Sequence, residues 1–271
     1  MDSSRPALRE LSDVGRVGRL ELVFCLKGSR TVIRHAYGEV PHKITRLYYP
    51  ENSSLPQLIL MNSTAGLFAG DRVEIRIHVE RGARVLITSQ ASTKVHPGTG
   101  TAEQSLYASI EAGAELHIHN DPLIPFSGAR LRQRVSLEID SGARFSFWDG
   151  FMSGRVGRGE LWEFEEIDTE TRLSRDEKLI YLERYRIAPS SASSSFQYVA
   201  TGIFCEPSAQ PMPDKFFVFS APNVAIDEPS PGVAIARAVA ATGTEYRDIQ
   251  HRFLTHAFSA RGEIVPDLRK Y

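Results

Sequence analysis

Cysteine is scarce: only Cys25 and Cys205 occur in 271 residues. Two thiols so far apart supply neither a disulfide framework nor a zinc ligand set, and they fit a reducing compartment. No apolar run approaches the roughly 20 residues that a membrane-spanning helix needs. The segment Met1 to Glu10 lacks the basic-then-apolar layout of a secretion signal, so a soluble cytoplasmic protein is expected. Charge of one sign is lacking too. With 32 basic side chains against 33 acidic ones, no global field favours nucleic acid or an anionic membrane. Catalytic signatures are equally absent: there is no G-x-S-x-G elbow, no Walker loop and no H-E-x-x-H. The run from Gly154 to Glu160 is rich in Gly and Arg, but a strand pattern follows it. Without a helix N-terminus to hold an anion, an ordinary loop is expected there.

What the chain does have is repetition. Val79-Glu80-Arg81-Gly82-Ala83-Arg84-Val85-Leu86-Ile87 is echoed by Ile110-Glu111-Ala112-Gly113-Ala114-Glu115-Leu116-His117-Ile118. A third copy is Ile139-Asp140-Ser141-Gly142-Ala143-Arg144-Phe145-Ser146-Phe147. The Gly-Ala pairs lie 31 and 29 residues apart, each with an acidic residue two before the glycine. One such unit cannot bury its apolar face alone, so spacing of this kind implies stacked units. Each copy reads as a strand, a tight glycine turn and a second strand. The clearest strand, Val73 to Val79, puts Val73, Ile75, Ile77 and Val79 on a buried face and Glu74, Arg76 and His78 on the other.

Around this middle, residues 1–16 read as a mobile lead-in and 17–271 as a single domain. Ala188 to Ser195 has linker composition, but strand patterns on both sides make it a surface loop. Two helices are expected near the C-terminus. Ser230 caps the first, with Pro231 at its first position and Gly243 as its stop. Thr242 and Glu245 have capping-box spacing for the second, which gathers Tyr246, Ile249 and Phe253 with Leu254, Ala257 and Phe258 on one stripe until Gly262. That stripe either packs on its own domain or offers a partner-binding surface. His251 lies off it and is expected to be exposed.

Two kinds of candidate ligand stand out. His117 and His119 project to one face of a strand, a spacing that can clamp one divalent ion; the alternative is a pair facing solvent while Leu116 and Ile118 point inward. Asp71, Asp149 and Glu160 sit at strand–loop junctions. They are either turn carboxylates serving backbone N–H groups or weak oxygen ligands for a passing divalent metal.

Four segments in order carry a resemblance. They are Thr64-Ala65-Gly66-Leu67-Phe68-Ala69-Gly70-Asp71, then Leu86-Ile87-Thr88-Ser89-Gln90-Ala91-Ser92-Thr93-Lys94-Val95. Next come Asp121-Pro122-Leu123-Ile124-Pro125-Phe126, and Trp148-Asp149 with Gly154-Arg155 and Gly159-Glu160-Leu161-Trp162. Across about residues 20–165 the chain resembles the urease accessory protein UreD (UreH) family. The resemblance implies an all-β dominated fold of β-helix-like stacked strands with about two helices near the C-terminus. It also implies a non-enzymatic scaffold that binds apo-urease and recruits UreF and, through it, the GTPase UreG. No cofactor would be held tightly, and nickel in transit would cross an internal passage. Asp71, Asp149 and Glu160 become the candidates to line it, with Thr88 and Ser89 as polar neighbours. The rival readings are a β-helix enzyme acting on polysaccharide and a protein-interaction module unconnected with urease.

Overall fold

The computed structural model describes residues 15–51, 55–188, 195–207, 223–259, 264–266 and 268. The lead-in up to residue 14, most of the Ala188–Ser195 loop and the helix stop at Gly262 lie outside them.

Alternation of apolar and polar residues produces two mixed sheets. The seven-stranded sheet contains β1 (Val17–Lys27), β2 (Arg30–Gly38), β5 (Arg72–Val79), β8 (Ala102–Ile110), β11 (Arg130–Ile139), β13 (Glu166–Arg175) and β14 (Lys178–Ile187), in the order β14-β13-β11-β8-β5-β1-β2. The eight-stranded sheet contains β3 (His42–Ile44), β4 (Gln57–Asn62), β6 (Arg84–Ser89), β9 (Glu115–His119), β12 (Arg144–Met152), β15 (Tyr198–Cys205), β16 (Val224–Ser230) and β17 (Val233–Ala240). Its order is β16-β17-β15-β12-β9-β6-β4-β3. Between the sheets lies the main core, where Phe24, Ile77 and Leu137 of one sheet share a cluster with Val85, Leu116, Phe145 and Phe147 of the other.

The three echoes are the parallel centre of this assembly. β5, β8 and β11 lie side by side in one sheet, and β6, β9 and β12 do so in the other. Each Gly-Ala turn is therefore a corner from sheet to sheet, not a hairpin. Gly82, Gly113 and Gly142 take φ of 77°, 76° and 88°, which a Cβ would penalise. The recurring acid stitches one unit to the next. Glu111 accepts from the Arg81 N–H of the preceding turn at 2.9 Å, and Asp140 from Ala112 N–H at 3.2 Å. Asp176 does the same for Ser141 N–H at 2.7 Å. Antiparallel strands flank the parallel centre in both sheets, so the fold is a pair of mixed sheets and the expected β-helix does not describe it.

Parallel strands are usually covered on both faces, yet no described helix packs on the outer face of the seven-stranded sheet. Cross-strand charges occupy it: Glu103 lies 3.4 Å from Arg72 and 2.8 Å from Arg132, and Asp168 lies 2.9 Å from Arg134. The outer face of the eight-stranded sheet is covered by α1 (Gly243–Ser259), which packs on an apolar cluster and on a buried polar group, Thr88, Glu115, His117, His119 and Ser146.

Only the second of the two expected helices forms. The Ser230-Pro231-Gly232 signal belongs to a hairpin turn, with Gly232 at φ 73°, and Val233–Ala240 pairs with both β15 and β16. Its strict alternation places Val233 and Ile235 in the main core and Ala234, Ala236 and Ala238 under α1. Packing on both faces overrides the helical preference of alanine. For α1 itself, Thr242 Oγ1 accepts from Glu245 N–H at 3.2 Å, while the Glu245 carboxylate reaches back to Ala241 N–H at 2.7 Å. The capping box is thus stretched by one residue.

Candidate functional site

A cavity of about 80 Å³ lies between the sheets near the ends of β5, β8 and β11. Much of its wall is apolar, including Ile75, Leu106, Ile118, Val135 and Phe147. Into this wall the strands insert Gln104, Gln133 and Asp149 at positions whose phase otherwise points apolar side chains inward. Gln104 and Gln133 are register partners on β8 and β11. Gln133 Nε2 donates to Asp149 Oδ2 at 2.7 Å. Burial pushes the Asp149 carboxyl up to about 6, against the lowering effect of Gln133, so it exchanges its proton close to neutrality. Asp149 is half-buried and lines the cavity. His42 of β3 also lines it; among the described residues His42 Nε2 and Gln104 Oε1 lack hydrogen-bond partners, and burial lowers His42 to about 4, leaving it neutral. Asn62, Ser89, Thr93, Asn120 and Asp121 add to the polar lining; Ser89 Oγ accepts from Asp121 N–H at 2.9 Å.

Of the carboxylates named from sequence, only Asp149 reaches this cavity. Asp71 serves its own turn: its two oxygens accept from Arg16 N–H and Phe68 N–H, each at 2.9 Å. Glu160 is ion-paired with Arg155, whose hydrogen bond holds the carboxylate low. Both lie among loops that stack at one end of the molecule, where the segments carrying the family resemblance become neighbours. Leu67 bridges Val95, and β7 (Lys94–Val95) pairs with β10 (Ile124–Pro125). Phe68 stacks on His96 at 4.3 Å, His96 meets Phe126 at 4.7 Å, and Arg155 lies over Phe126 at 4.1 Å.

Thr88 and the histidines lie on the opposite face of the eight-stranded sheet. Thr88 Oγ1 donates to the His119 carbonyl at 2.6 Å. His117 and His119 do not face solvent; both are fully buried beneath α1, with Phe258 4.6 Å from His117 and Phe253 6.1 Å from His119. Nor do they form a two-histidine clamp, because both His117 nitrogens are engaged: Nε2 with Glu115 Oε1 and Nδ1 with Ser146 Oγ, each at 2.6 Å. Glu115, His117 and Ser146 have the connectivity of a hydrolase triad. All three are buried under the helix, and Ser146 Oγ is also bonded to His119 Nε2 at 2.8 Å, so the hydroxyl is closed to substrate. Tyr246, Ile249 and Phe253 face this sheet with 4% exposure or less; they hold α1 down and leave only its other faces to a partner. His251 is exposed, as its place off the stripe requires.

Gln104, Gln133 and His42 were not singled out from sequence. The first two had a readable signal: each is the one amide in an inward-facing series, Ala102-x-Gln104-x-Leu106 and Leu131-x-Gln133-x-Val135. Asp149 repeats it after Phe145 and Phe147. His42 had none, since β3 is too short to establish a phase.

The class these features define is a two-sheet, strand-built protein with a small polar cavity between its sheets and a buried acid–histidine–serine chain under its helix. The family model described as "UreD urease accessory protein" matches residues 16–269, and the chain belongs to that family. A protein named "Urease accessory protein UreD" from Deinococcus radiodurans is 30% identical over 237 residues, covering 84% of this chain and 85% of the relative. One of the same name from Sorangium cellulosum is 33% identical over 65% of this chain and 56% of its own length. "Urease accessory protein UreD 2" of Streptomyces griseus is 32% identical over 64% of this chain and 61% of its own length.

Proposed function

We propose that this protein is a non-catalytic scaffold for urease maturation. In this reading it binds apo-urease, recruits UreF and through UreF the GTPase UreG, and passes nickel through its interior. Family membership supports the maturation role, and the polar chamber supports the passage. The single observation that carries the passage is Asp149, a carboxylate enclosed between two sheets beside two amides and a neutral histidine. Oxygen donors with few charges hold a divalent ion weakly enough to release it, where thiolates would retain it. Cys205 is buried in the main core and its thiol stays protonated, raised by burial to about 12. Gln104 Oε1 and His42 Nε2 offer further neutral donors to a hydrated ion.

The test is nickel content of urease matured with an Asp149→Ala variant at limiting nickel. Loading should fall several-fold while the variant still co-purifies with urease. Full loading would remove the chamber from the route. Asp71→Ala and Glu160→Ala, in contrast, act on a turn and on an ion pair, and any loss of loading should accompany loss of folded protein.

A further inference from the structure

The four parallel strands β5, β8, β11 and β13 contain no lysine, and every cation other than His78 that they carry is an arginine. Protein interfaces enrich arginine and tyrosine and deplete lysine. On the outer face of the seven-stranded sheet, where no described helix packs, the guanidinium groups stand higher than the acids beneath them. Arg72, Arg172, Arg184 and Arg186 keep 54–71% of their side chains exposed, against 8–32% for Glu103, Glu166, Asp168 and Glu170. Among the described residues Arg172 uses Nε on Glu170 and Arg184 one Nη on Asp168, so most of their five donors remain for a partner. Tyr107 and Leu182 are exposed on the same face, with Arg76 lying 4.6 Å over the Tyr107 ring.

Charge and size decide what such a face attracts. The acids below cancel most of its formal charge, so it lacks the far-reaching field that recruits nucleic acid or an anionic membrane. A second copy would set guanidinium against guanidinium. A folded protein presenting carboxylates meets the spare N–H forks at short range. Strands about 4.8 Å apart, each running roughly eight residues of about 3.3 Å, give a seven-stranded face on the order of 800 Å², the share that each partner buries in a stable complex. We infer that this face is the docking surface for apo-urease, which meets it with Asp and Glu side chains. The inference rests on the maturation reading above, in which apo-urease is the partner held directly and UreF is recruited to the pair. The other broad sheet face is closed to urease by α1.

The experiment measures binding of purified apo-urease to the full-length chain by biolayer interferometry. A variant combining Arg72→Glu, Arg172→Glu and Arg184→Glu should bind roughly tenfold more weakly or worse, with circular dichroism unchanged. Added salt should weaken the native chain more than the variant. If the triple variant misfolds, Arg172→Gln with Arg184→Gln should still weaken binding several-fold, because Asp168 keeps Arg134 at 2.9 Å. Unaltered affinity in a folded variant overturns the docking face and leaves the maturation reading intact. So does loss of UreF from the assembly with urease retained, or a native homodimer that the variant splits while urease stays bound. Failure of the native chain to bind apo-urease at all overturns that reading and the face with it.

Discussion

At Asp149 the alternation of β12 demands an apolar side chain, and the carboxyl found there is stabilised in its neutral form. An acid whose folded pKa lies above its unfolded value binds more protons when folded. Its contribution is therefore favourable at low pH and is lost as pH rises from about 3.8 to about 6. Above that window the charged group costs on the order of 1–3 kcal/mol. Asp149→Asn keeps an acceptor for Gln133 and removes the charge, so the variant should be more stable than the native chain at pH 7.5 by that amount. The gain should shrink toward zero as pH approaches 4. Urea unfolding at the two pH values checks this; equal stability of the two proteins at pH 7.5 would show that the chamber solvates the carboxylate fully. A position that loses stability in order to keep a charge is what a functional residue leaves behind. Asp149 is legible as a carboxylate at a strand–loop junction; Gln104 and Gln133 carry a signal only in the inward phase of their strands, which the sequence reading did not take up. The buried state of His117 and His119 was not legible, because only the placement of α1 decides it.

At the scale of elements, the strands and the second helix were legible because their periods are clean. Val73 to Val79 and the stripe from Tyr246 to Phe258 bury the residues that their spacing selects. The 230–243 segment was misread because Pro before Gly marks a hairpin turn as well as a helix start. Alternating Val, Ile and Ala settles the matter only when a helix and a second sheet wait on either side. The acid of each repeat was visible, but its partner in the preceding turn was a tertiary fact. The seat of α1 has one steric requirement: a Cβ on Gly202 would stand 2.8 Å from the Phe253 ring and 2.9 Å from Trp148. Gly202→Ala should therefore destabilise the protein by about 1–3 kcal/mol through overpacking, measured by thermal unfolding. An unchanged midpoint would mean that α1 sits more loosely than its six buried apolar side chains imply.

Over the whole molecule, one sheet presents charges and the other carries a helix, and between them a small polar chamber interrupts an otherwise apolar core. No described helix is long and apolar enough to cross a membrane. The repeat argument anticipated stacked units, yet it could not show that each turn switches sheets or that antiparallel strands close both edges. Of the residues that the resemblance assigns to an internal passage, Asp149 and Ser89 stand in the chamber wall, and Asp71, Glu160 and Thr88 stand outside it. Partner surfaces follow from no single element. The α1 stripe is spent on the domain itself, so the proposed assembly with urease would use other faces.

The central claim is that this scaffold works inside a urease-maturation assembly. The most direct measurement is affinity purification of the tagged chain from urease-producing cells of its native host, with co-purifying chains identified by mass spectrometry. Urease subunits should be recovered together with UreF and UreG. Clean recovery of the folded protein without any of them would contradict the account.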